Sequence, residues 1–446
     1  MEILKIKTNS IAHLSYILIN GADAIVIDPR REAKLYFDKA TSKGAKIKAI
    51  FETHRNEDFV TGSRELQRYC GAAIYHGRGI DFEFGDYVKE GDIFSLGSAE
   101  LKVLETPGHT PESISLALYP EKGKDAVAVF TGDALFVDDV GRTDFRASKQ
   151  EEDAKTLYES IHEKILPLGN QVILYPAHGA GSVCGGGISD REFSTLGFEK
   201  KHNPMLQKNK DEFIKAKLSE DHQKPPYFSK MEELNLKGND RKLKNYQGIE
   251  LVPIDDYFDS RESFQVLDIR TIEAFTGCHI PGAFGIPTSM LGAYGGYFLN
   301  YDDPILLVGD SIKEAETAKD TLLNLGYDKA RYFLNGGIKK FEASGYDLSR
   351  IKTLDVEEVF DRAKDSVLLD VRKPGEWESG TLEDARTIFL GDLEKNLEEL
   401  RAQGSIIVYC GSGARATIGA SILQKHGLKN ISVFMGSMKA VSNSTK

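Results

Sequence analysis

Four short polar clusters in the first half of the chain carry the side chains that bind metal ions and move protons. They are Thr53-His54-Arg55-Asn56-Glu57-Asp58, Pro107-Gly108-His109-Thr110, Thr131-Gly132-Asp133 and Pro176-Ala177-His178-Gly179. One histidine alone is more often structural. Here His54, His109, Asp133 and His178 all follow a predicted strand, and converging imidazole and carboxylate donors suit a metal centre. A different chemistry is written near the C-terminus, in Tyr409-Cys410-Gly411-Ser412-Gly413-Ala414-Arg415-Ala416. A cysteine between a strand and a helix faces backbone N–H groups and a helix N-terminus, which favour thiolate over thiol. The same amide concavity, formed at Gly411, Ser412 and Gly413, can hold an anionic terminal sulfur. Arg415 adds a fixed positive charge at the helix start.

The elements that must position these residues are legible from apolar runs. Residues 3–6, 15–19 and 24–27 read as strands ending near Gly, Asn or Asp, which suits hairpins in an antiparallel or mixed sheet. Strands at 48–52, 101–105, 126–131 and 172–175 each run into one of the four clusters, and residues 59–70 read as a helix. Loops that leave one edge of a rigid sandwich can build a single site. Residues 199–244 shift to Lys, Glu, Asp and Asn, predicting one or two exposed helices and a linker, with no assigned function. His13, His76 and His162 lie outside the motifs and read as structural or surface residues. Cys70 and Cys278 read as packed.

The rest of the chain repeats itself. Val266-Leu267-Asp268-Ile269-Arg270 returns as Leu368-Leu369-Asp370-Val371-Arg372, roughly a hundred residues on. Each unit alternates strands with helical stretches such as 312–325 and 414–426, which implies a small doubly wound parallel sheet. Three domains follow: 1–245 with its linker, 246–350 and 351–446.

The 446 residues carry a net charge of −11, with 41% hydrophobic and 28% charged residues. That composition is globular, and its sign argues against a nucleic-acid binder. No run approaches the roughly 18 apolar residues of a membrane span, so no membrane partner is expected. The start, Met-Glu-Ile-Leu-Lys-Ile, has no basic-then-apolar segment, so no secretory signal is expected. The four cysteines have no paired spacing, which favours reduced thiols and a cytoplasmic location.

The four clusters, in their order, resemble the motifs of the metallo-β-lactamase superfamily, whose fold is an αββα sandwich. The first motif of that family usually reads His-x-His-x-Asp-His, whereas this chain has Asn56 and Phe59 at the second and last histidine positions. By the family's pattern those two changes remove one ligand from each half of a two-metal site. A dinuclear zinc hydrolase is therefore disfavoured, and the complete set left is His54, His109 and Asp133. Two imidazoles and one carboxylate with open positions suit a mononuclear Fe(II) centre that takes dioxygen and substrate together.

Among these families the persulfide dioxygenases are the most similar, and they share Gly-Arg-Thr-Asp-Phe, seen here as Gly141-Arg142-Thr143-Asp144-Phe145. The resemblance implies one Fe(II) per chain, with zinc as a possible substitute. It implies orienting roles for Asp58 and His178. Arg142 and Asp144 either orient substrate or form an ion pair holding their loop. Cys184, in the run Gly179-Ala180-Gly181-Ser182-Val183-Cys184-Gly185, either contacts a sulfur substrate or is an inert packed thiol.

The Cys410 loop resembles the active-site loop of rhodanese sulfurtransferases, with Asp370, Arg372, Glu376 and Trp377 as further landmarks. Gly380-Thr381-Leu382 departs from the usual Gly-His-Ile. The middle domain keeps the frame, including Gly277-Cys278-His279-Ile280-Pro281-Gly282, but places Gly309-Asp310 where the nucleophile belongs. It is expected to be inactive, a spacer or dimer contact. The whole is similar to fused bacterial persulfide dioxygenase–sulfurtransferases. The activity so implied takes a persulfide and dioxygen to sulfite and thiol, with Cys410 passing sulfane sulfur to sulfite, as thiosulfate, or to a thiol. The alternatives are a mononuclear zinc thioester hydrolase resembling glyoxalase II, and a non-catalytic sulfur carrier or redox sensor in which only Cys410 matters. Dimers are common in the superfamily, so a homo-oligomer is expected.

Overall fold

The computed structural model describes residues 1–191, 193–220, 222, 224–238 and 248–444. The expected boundary at residue 245 and the end of the charged linker lie outside them. The chain divides into two compact units, Met1–Lys242 with Asn324–Gly326, and Leu243–Leu323 with Tyr327–Lys446.

The first unit holds two six-stranded sheets. One has the order β1 (Glu2–Thr8), β2 (His13–Asn20), β3 (Asp23–Ile27), β4 (Lys46–Phe51), β5 (Ala73–His76) and β6 (Asp86–Tyr87). Its first three strands pair antiparallel and the rest parallel, a mixed sheet. The other contains β7 (Ile93–Leu96), β8 (Ala99–Glu105), β9 (Ile114–Tyr119), β10 (Ala128–Gly132), β11 (Ile173–Pro176) and β12 (Ser194–Thr195), arranged β12-β11-β10-β9-β8-β7.

Alternation along β2 explains why two layers of helix cover two layers of sheet. Leu14, Tyr16 and Leu18 join Phe51, Leu101, Leu116 and Phe130 in the core between the sheets. Ile17 and Ile19 face the opposite way and meet Tyr36 and Leu66, from the helices Ala33–Ser42 and Ser63–Cys70. On the second sheet, Val129 and Leu174 meet Leu157 and Phe213 of the helices Gln150–Glu159 and Lys210–Ser219. Each large side chain so buried contributes about 1.5–3 kcal/mol. The result is the expected αββα sandwich. Buried Tyr16 donates its hydroxyl to the Pro176 carbonyl at 2.7 Å, tying β2 to the end of β11.

Two expectations change in detail. The helix expected over 59–70 begins only at Ser63, because the Asn56 and Phe59 carbonyls and the Thr61 amide bond to the distant Asn235 side chain. The charged stretch after residue 199 is not merely a solvated face. Its helices Lys210–Ser219 and Phe228–Lys237 bury Phe213, Lys217, Phe228, Met231 and Asn235.

The second unit contains two five-stranded parallel sheets of identical order. They are β13-β17-β16-β14-β15 and β18-β22-β21-β19-β20. The first uses β13 (Glu250–Val252), β14 (Gln265–Asp268), β15 (Phe284–Gly285), β16 (Ile305–Val308) and β17 (Tyr332–Leu334). The second uses β18 (Lys352–Leu354), β19 (Val367–Asp370), β20 (Arg386–Thr387), β21 (Ile406–Tyr409) and β22 (Ile431–Phe434). The repeat pairs Asp268 with Arg270 at 2.6 Å and Asp370 with Arg372 at 2.7 Å. Both arginines also reach a carbonyl, of Cys278 and of Gly380 respectively. The two domains pack on each other within the chain: the Gly285 amide donates to Ser421 Oγ at 3.0 Å, and His279 Nε2 lies 2.6 Å from Gln424 Oε1. No helix among the described residues is long and apolar enough to cross a membrane.

Candidate metal centre and thiolate loop

The four clusters converge at the strand ends of the first unit. After β4, Thr53 donates its amide at 2.7 Å and its Oγ1 at 2.8 Å to buried Asp28, which follows β3. Thr53 Oγ1 in turn lies 3.0 Å from His54 Nδ1, so the ring is turned with Nε2 into the pocket. Gly132 has φ +53°, and a Cβ there would sit 2.6 Å from Thr53 Oγ1, so only glycine lets these two loops close. After β8, His109 Nδ1 lies 2.9 Å from the Arg142 carbonyl, which fixes its Nε2 in the same way. After β10, Asp133 Oδ1 lies 2.7 Å from His178 Nδ1, leaving Oδ2 free.

Asp133 Oδ2 is 3.7 Å from His54 Nε2 and 3.4 Å from His109 Nε2. All three atoms are buried without a hydrogen-bond partner. Buried polar atoms are almost always satisfied, and three orphans aimed at one another are what a metal ion would satisfy. The electrostatics agree. Burial lowers His54 to about 3 and lowers His109, so both rings are neutral lone-pair donors. Asp133 is also buried, but His178, His54 and His109 hold its carboxyl below the ordinary range. The donor set fits a cation that takes imidazole and carboxylate.

His178 stands apart from that set. Its Nδ1 faces Asp133 and its Nε2 lies 3.0 Å from Asp58 Oδ2. Burial opposes the charge, yet the two carboxylates hold the imidazolium well above the usual histidine range. Cys184 is buried, with donor atoms of Asp58 and His178, and of His109 and Asp133, within 4.8 Å. Burial pushes its thiol well up. Asn56 and Phe59 supply no imidazole, and the Phe59 ring packs on His13 at 4.1 Å instead.

Arg142 is fully buried with its guanidinium engaged by protein groups. It donates to Asp144 through two bonds of 2.6 and 2.7 Å, and to the Val183 carbonyl at 3.1 Å. The rings of Phe145 and Phe228 flank it at 5.1 and 5.8 Å. The Arg142 amide donates to the Cys184 carbonyl at 3.2 Å, so this arginine ties the 141–145 loop to the cysteine-bearing loop.

Three site neighbours escape the motif reading. Glu57 places a carboxylate atom within 4.8 Å of donors on His54 and His109. His13 is fully buried 5.7 Å, ring to ring, from His178, and neither of its nitrogens has a hydrogen-bond partner. Asn235 accepts from the Thr61 amide at 2.9 Å and donates to the Asn56 and Phe59 carbonyls at 2.6 and 2.7 Å. It therefore replaces the helical turn that residues 59–62 never make. Only Glu57 was visible in a motif; the other two come from outside it.

In the second unit Cys410 follows β21 and precedes the helix Ala414–Lys425. The Gly413 amide donates to Cys410 Sγ at 3.2 Å, and Ser437 Oγ accepts from the Cys410 amide at 3.0 Å. Gly413 has φ +96°, and a Cβ there would lie 2.3 Å from the Met435 carbonyl oxygen. Arg415 is held by Glu376 through bonds of 2.5 and 2.8 Å. Ser412 and Gly411 complete the turn. The matching loop after β16 has Gly309 and Asp310, and the Asp310 amide donates to Glu314 Oε2 at 3.0 Å.

The metallo-beta-lactamase superfamily profile matches residues 11–178, and the rhodanese-like domain profile matches 256–344 and again 355–444. The mitochondrial persulfide dioxygenase ETHE1 of Mus musculus is 34% identical over 202 residues, 44% of this chain and 70% of that protein. Hydroxyacylglutathione hydrolase GloC of Haemophilus influenzae is 29% identical over 206 residues, 41% of this chain and 87% of that protein. A metallo-beta-lactamase crystal structure from Staphylococcus aureus subsp. aureus COL superposes with a TM-score of 0.67 at 32% identity. That match covers 75% of this chain and 99% of the other. The chain thus belongs to the metallo-beta-lactamase superfamily, in the family of the persulfide dioxygenases, and carries two rhodanese-like domains in its second half.

Proposed function

We propose that the first domain oxidises the outer sulfur of a low-molecular-weight thiol persulfide, and that Cys410 transfers sulfane sulfur. Persulfide, dioxygen and water give sulfite, thiol and two protons. The observation that carries this reading is the trio of unpartnered atoms on His54, His109 and Asp133. One Fe(II) per chain held by these residues supplies dioxygen chemistry when bound, and zinc is the substitute the same donors accept.

The chain's own groups do the rest. Asp58 and His178 form a charged pair that orients water or the persulfide beside the donor trio. Arg142 positions Cys184, whose thiol faces the incoming sulfur. In the last domain Cys410 attacks a sulfane sulfur and becomes a persulfide, held by the amides of Gly411, Ser412 and Gly413. Sulfite then takes the outer sulfur as thiosulfate and returns the thiolate, with Arg415 beside the loop. Kinship with persulfide dioxygenases and the paired rhodanese-like matches support the two halves. We set the domains at 1–245, 246–350 and 351–446, and place the protein in the cytoplasm as a homo-oligomer.

Retention of Asp58 and His178, together with the likeness to a hydroxyacylglutathione hydrolase, favours a second reading as a zinc thioester hydrolase. Asn56 and Phe59 weigh against it. Two variants test the proposal. His54→Ala should abolish sulfite formation and leave sulfur transfer, whereas Cys410→Ser should do the reverse. Sulfite formation that survives His54→Ala contradicts the assignment.

A further inference from the structure

The domain without a nucleophile places a side chain at the Cys410 site of its neighbour. The helix Leu291–Phe298, with the sequence LGAYGGYF, belongs to the middle domain. Tyr294 and Tyr297 are three residues apart and share one helical face. Gly292, Gly295 and Gly296 are buried and keep the helix slim enough for close approach. The Tyr297 ring packs edge-on against Phe389 at 5.9 Å and crowds Gly391, whose added Cβ would lie 2.4 Å from it. Contacts at Gly285–Ser421 and His279–Gln424 lock the same two domains together. On this face Tyr294 is 8% exposed.

Its hydroxyl neighbours the Arg415 guanidinium, the Glu376 carboxylate and Cys410, and Arg415 Nη2 lies 3.3 Å from where a Cβ on Gly411 would sit, over the Cys410 loop. Burial pushes the phenol up, and Arg415 pulls the other way. The phenol is therefore a neutral hydrogen-bond donor throughout the working range. Arg415 meanwhile spends two N–H groups on Glu376, which offsets its positive charge. An oxyanion arriving at Cys410 meets an arginine whose charge Glu376 offsets, and the Tyr294 hydroxyl adds a neutral donor beside the loop amides.

We propose that Tyr294 determines which sulfur compounds the Cys410 site accepts, by donating its hydroxyl to the sulfonate-type oxygens of thiosulfate or sulfite. This rests on the reading of Cys410 as a sulfur-transfer nucleophile. In the step concerned, Cys410 Sγ bonds to the outer sulfur of thiosulfate. The sulfur–sulfur bond to the SO3 group breaks, and its electron pair leaves on sulfite, so the thiolate's charge moves to the new persulfide. A thiol persulfide loads the same cysteine without presenting an oxyanion there.

The test compares the full chain with its Tyr294→Phe variant, which keeps the ring and loses the donor. Sulfur loading on the Cys410 peptide is followed by mass spectrometry, with thiosulfate or glutathione persulfide as the donor. The thiosulfate concentration for half-maximal loading should rise on the order of tenfold, as loss of a hydrogen bond to a charged group predicts. The maximal rate, the persulfide reaction and the melting temperature should stay within about twofold or a degree. Equal losses with both donors would mean a structural role and overturn the inference, as would no loss with either. If the unaltered chain loads Cys410 from neither donor, the reading of Cys410 itself fails and takes this inference with it.

Discussion

Asp133 gives one carboxylate oxygen to His178, 2.7 Å from its Nδ1, and turns the other towards His54 and His109. One side chain thus belongs to both the trio of unpartnered donors and the pair beside it. Replacing it by an amide removes the only carboxylate of the trio and one of the two anions on His178. Asp133→Asn should lower bound iron at least tenfold and take sulfite production to background. Metal content and sulfite yield on the same preparation check this, and full iron loading in the variant would contradict it.

Asn235 satisfies three backbone groups in the loop that follows His54. Asn235→Ala leaves buried amide and carbonyl groups unpaired at a cost of roughly 3 kcal/mol in stability. Urea unfolding monitored in the first unit should show that loss, together with reduced sulfite formation. Unchanged stability would mean that water replaces the side chain.

Gly413 is the position where the Cys410 loop has no room for a methyl group. Gly413→Ala combines a positive φ with a clash against Met435, so the loop must open. Sulfur transfer should fall at least a hundredfold, an order-of-magnitude expectation for a misplaced nucleophile. Dioxygen uptake should remain, because that chemistry uses none of these residues.

The Glu376–Arg415 pair predicts a pH dependence of definite sign. Arg415, bonded directly to it, holds the Glu376 carboxyl below its usual value of 4.5, with burial opposing. The pair's contribution is therefore fully present above about pH 4.5 and is lost as pH falls through the lower folded value. Melting curves of the native chain and Glu376→Gln should converge as pH drops through that window and differ most near neutrality. A difference that grows on acidification would contradict the assignment. The pair is partly exposed, so the effect should be modest.

What could be read from the chain is what is local. Each residue of the donor trio follows a strand within a few positions and sits beside Gly or Thr, so its motif is contiguous. The Cys410 loop likewise carries its nucleophile, turn glycine and arginine within one turn of chain. Asn235 was illegible because the loop it braces lies far back in sequence, and its surroundings read as a charged linker. The true start of the Ser63–Cys70 helix was hidden for the same reason: apolar Phe59 and Val60 suggest helix, but Asn235 takes the backbone groups that a turn would use. Tyr294 sits in a glycine-rich helix of a domain with no nucleophile, and only the packing of the two rhodanese-like domains gives it a partner. Arg142 is open between two roles in the sequence, and the bonds that only the fold reveals run to Asp144 and to the Val183 carbonyl.

The central claim is that the donor trio runs oxidation rather than hydrolysis. Metal-free protein reloaded with Fe(II) or with Zn(II) and given glutathione persulfide separates these outcomes. With iron, one dioxygen should be consumed per sulfite released, and with zinc no sulfite should form. Thioester hydrolysis with zinc and no dioxygen uptake with iron would contradict it.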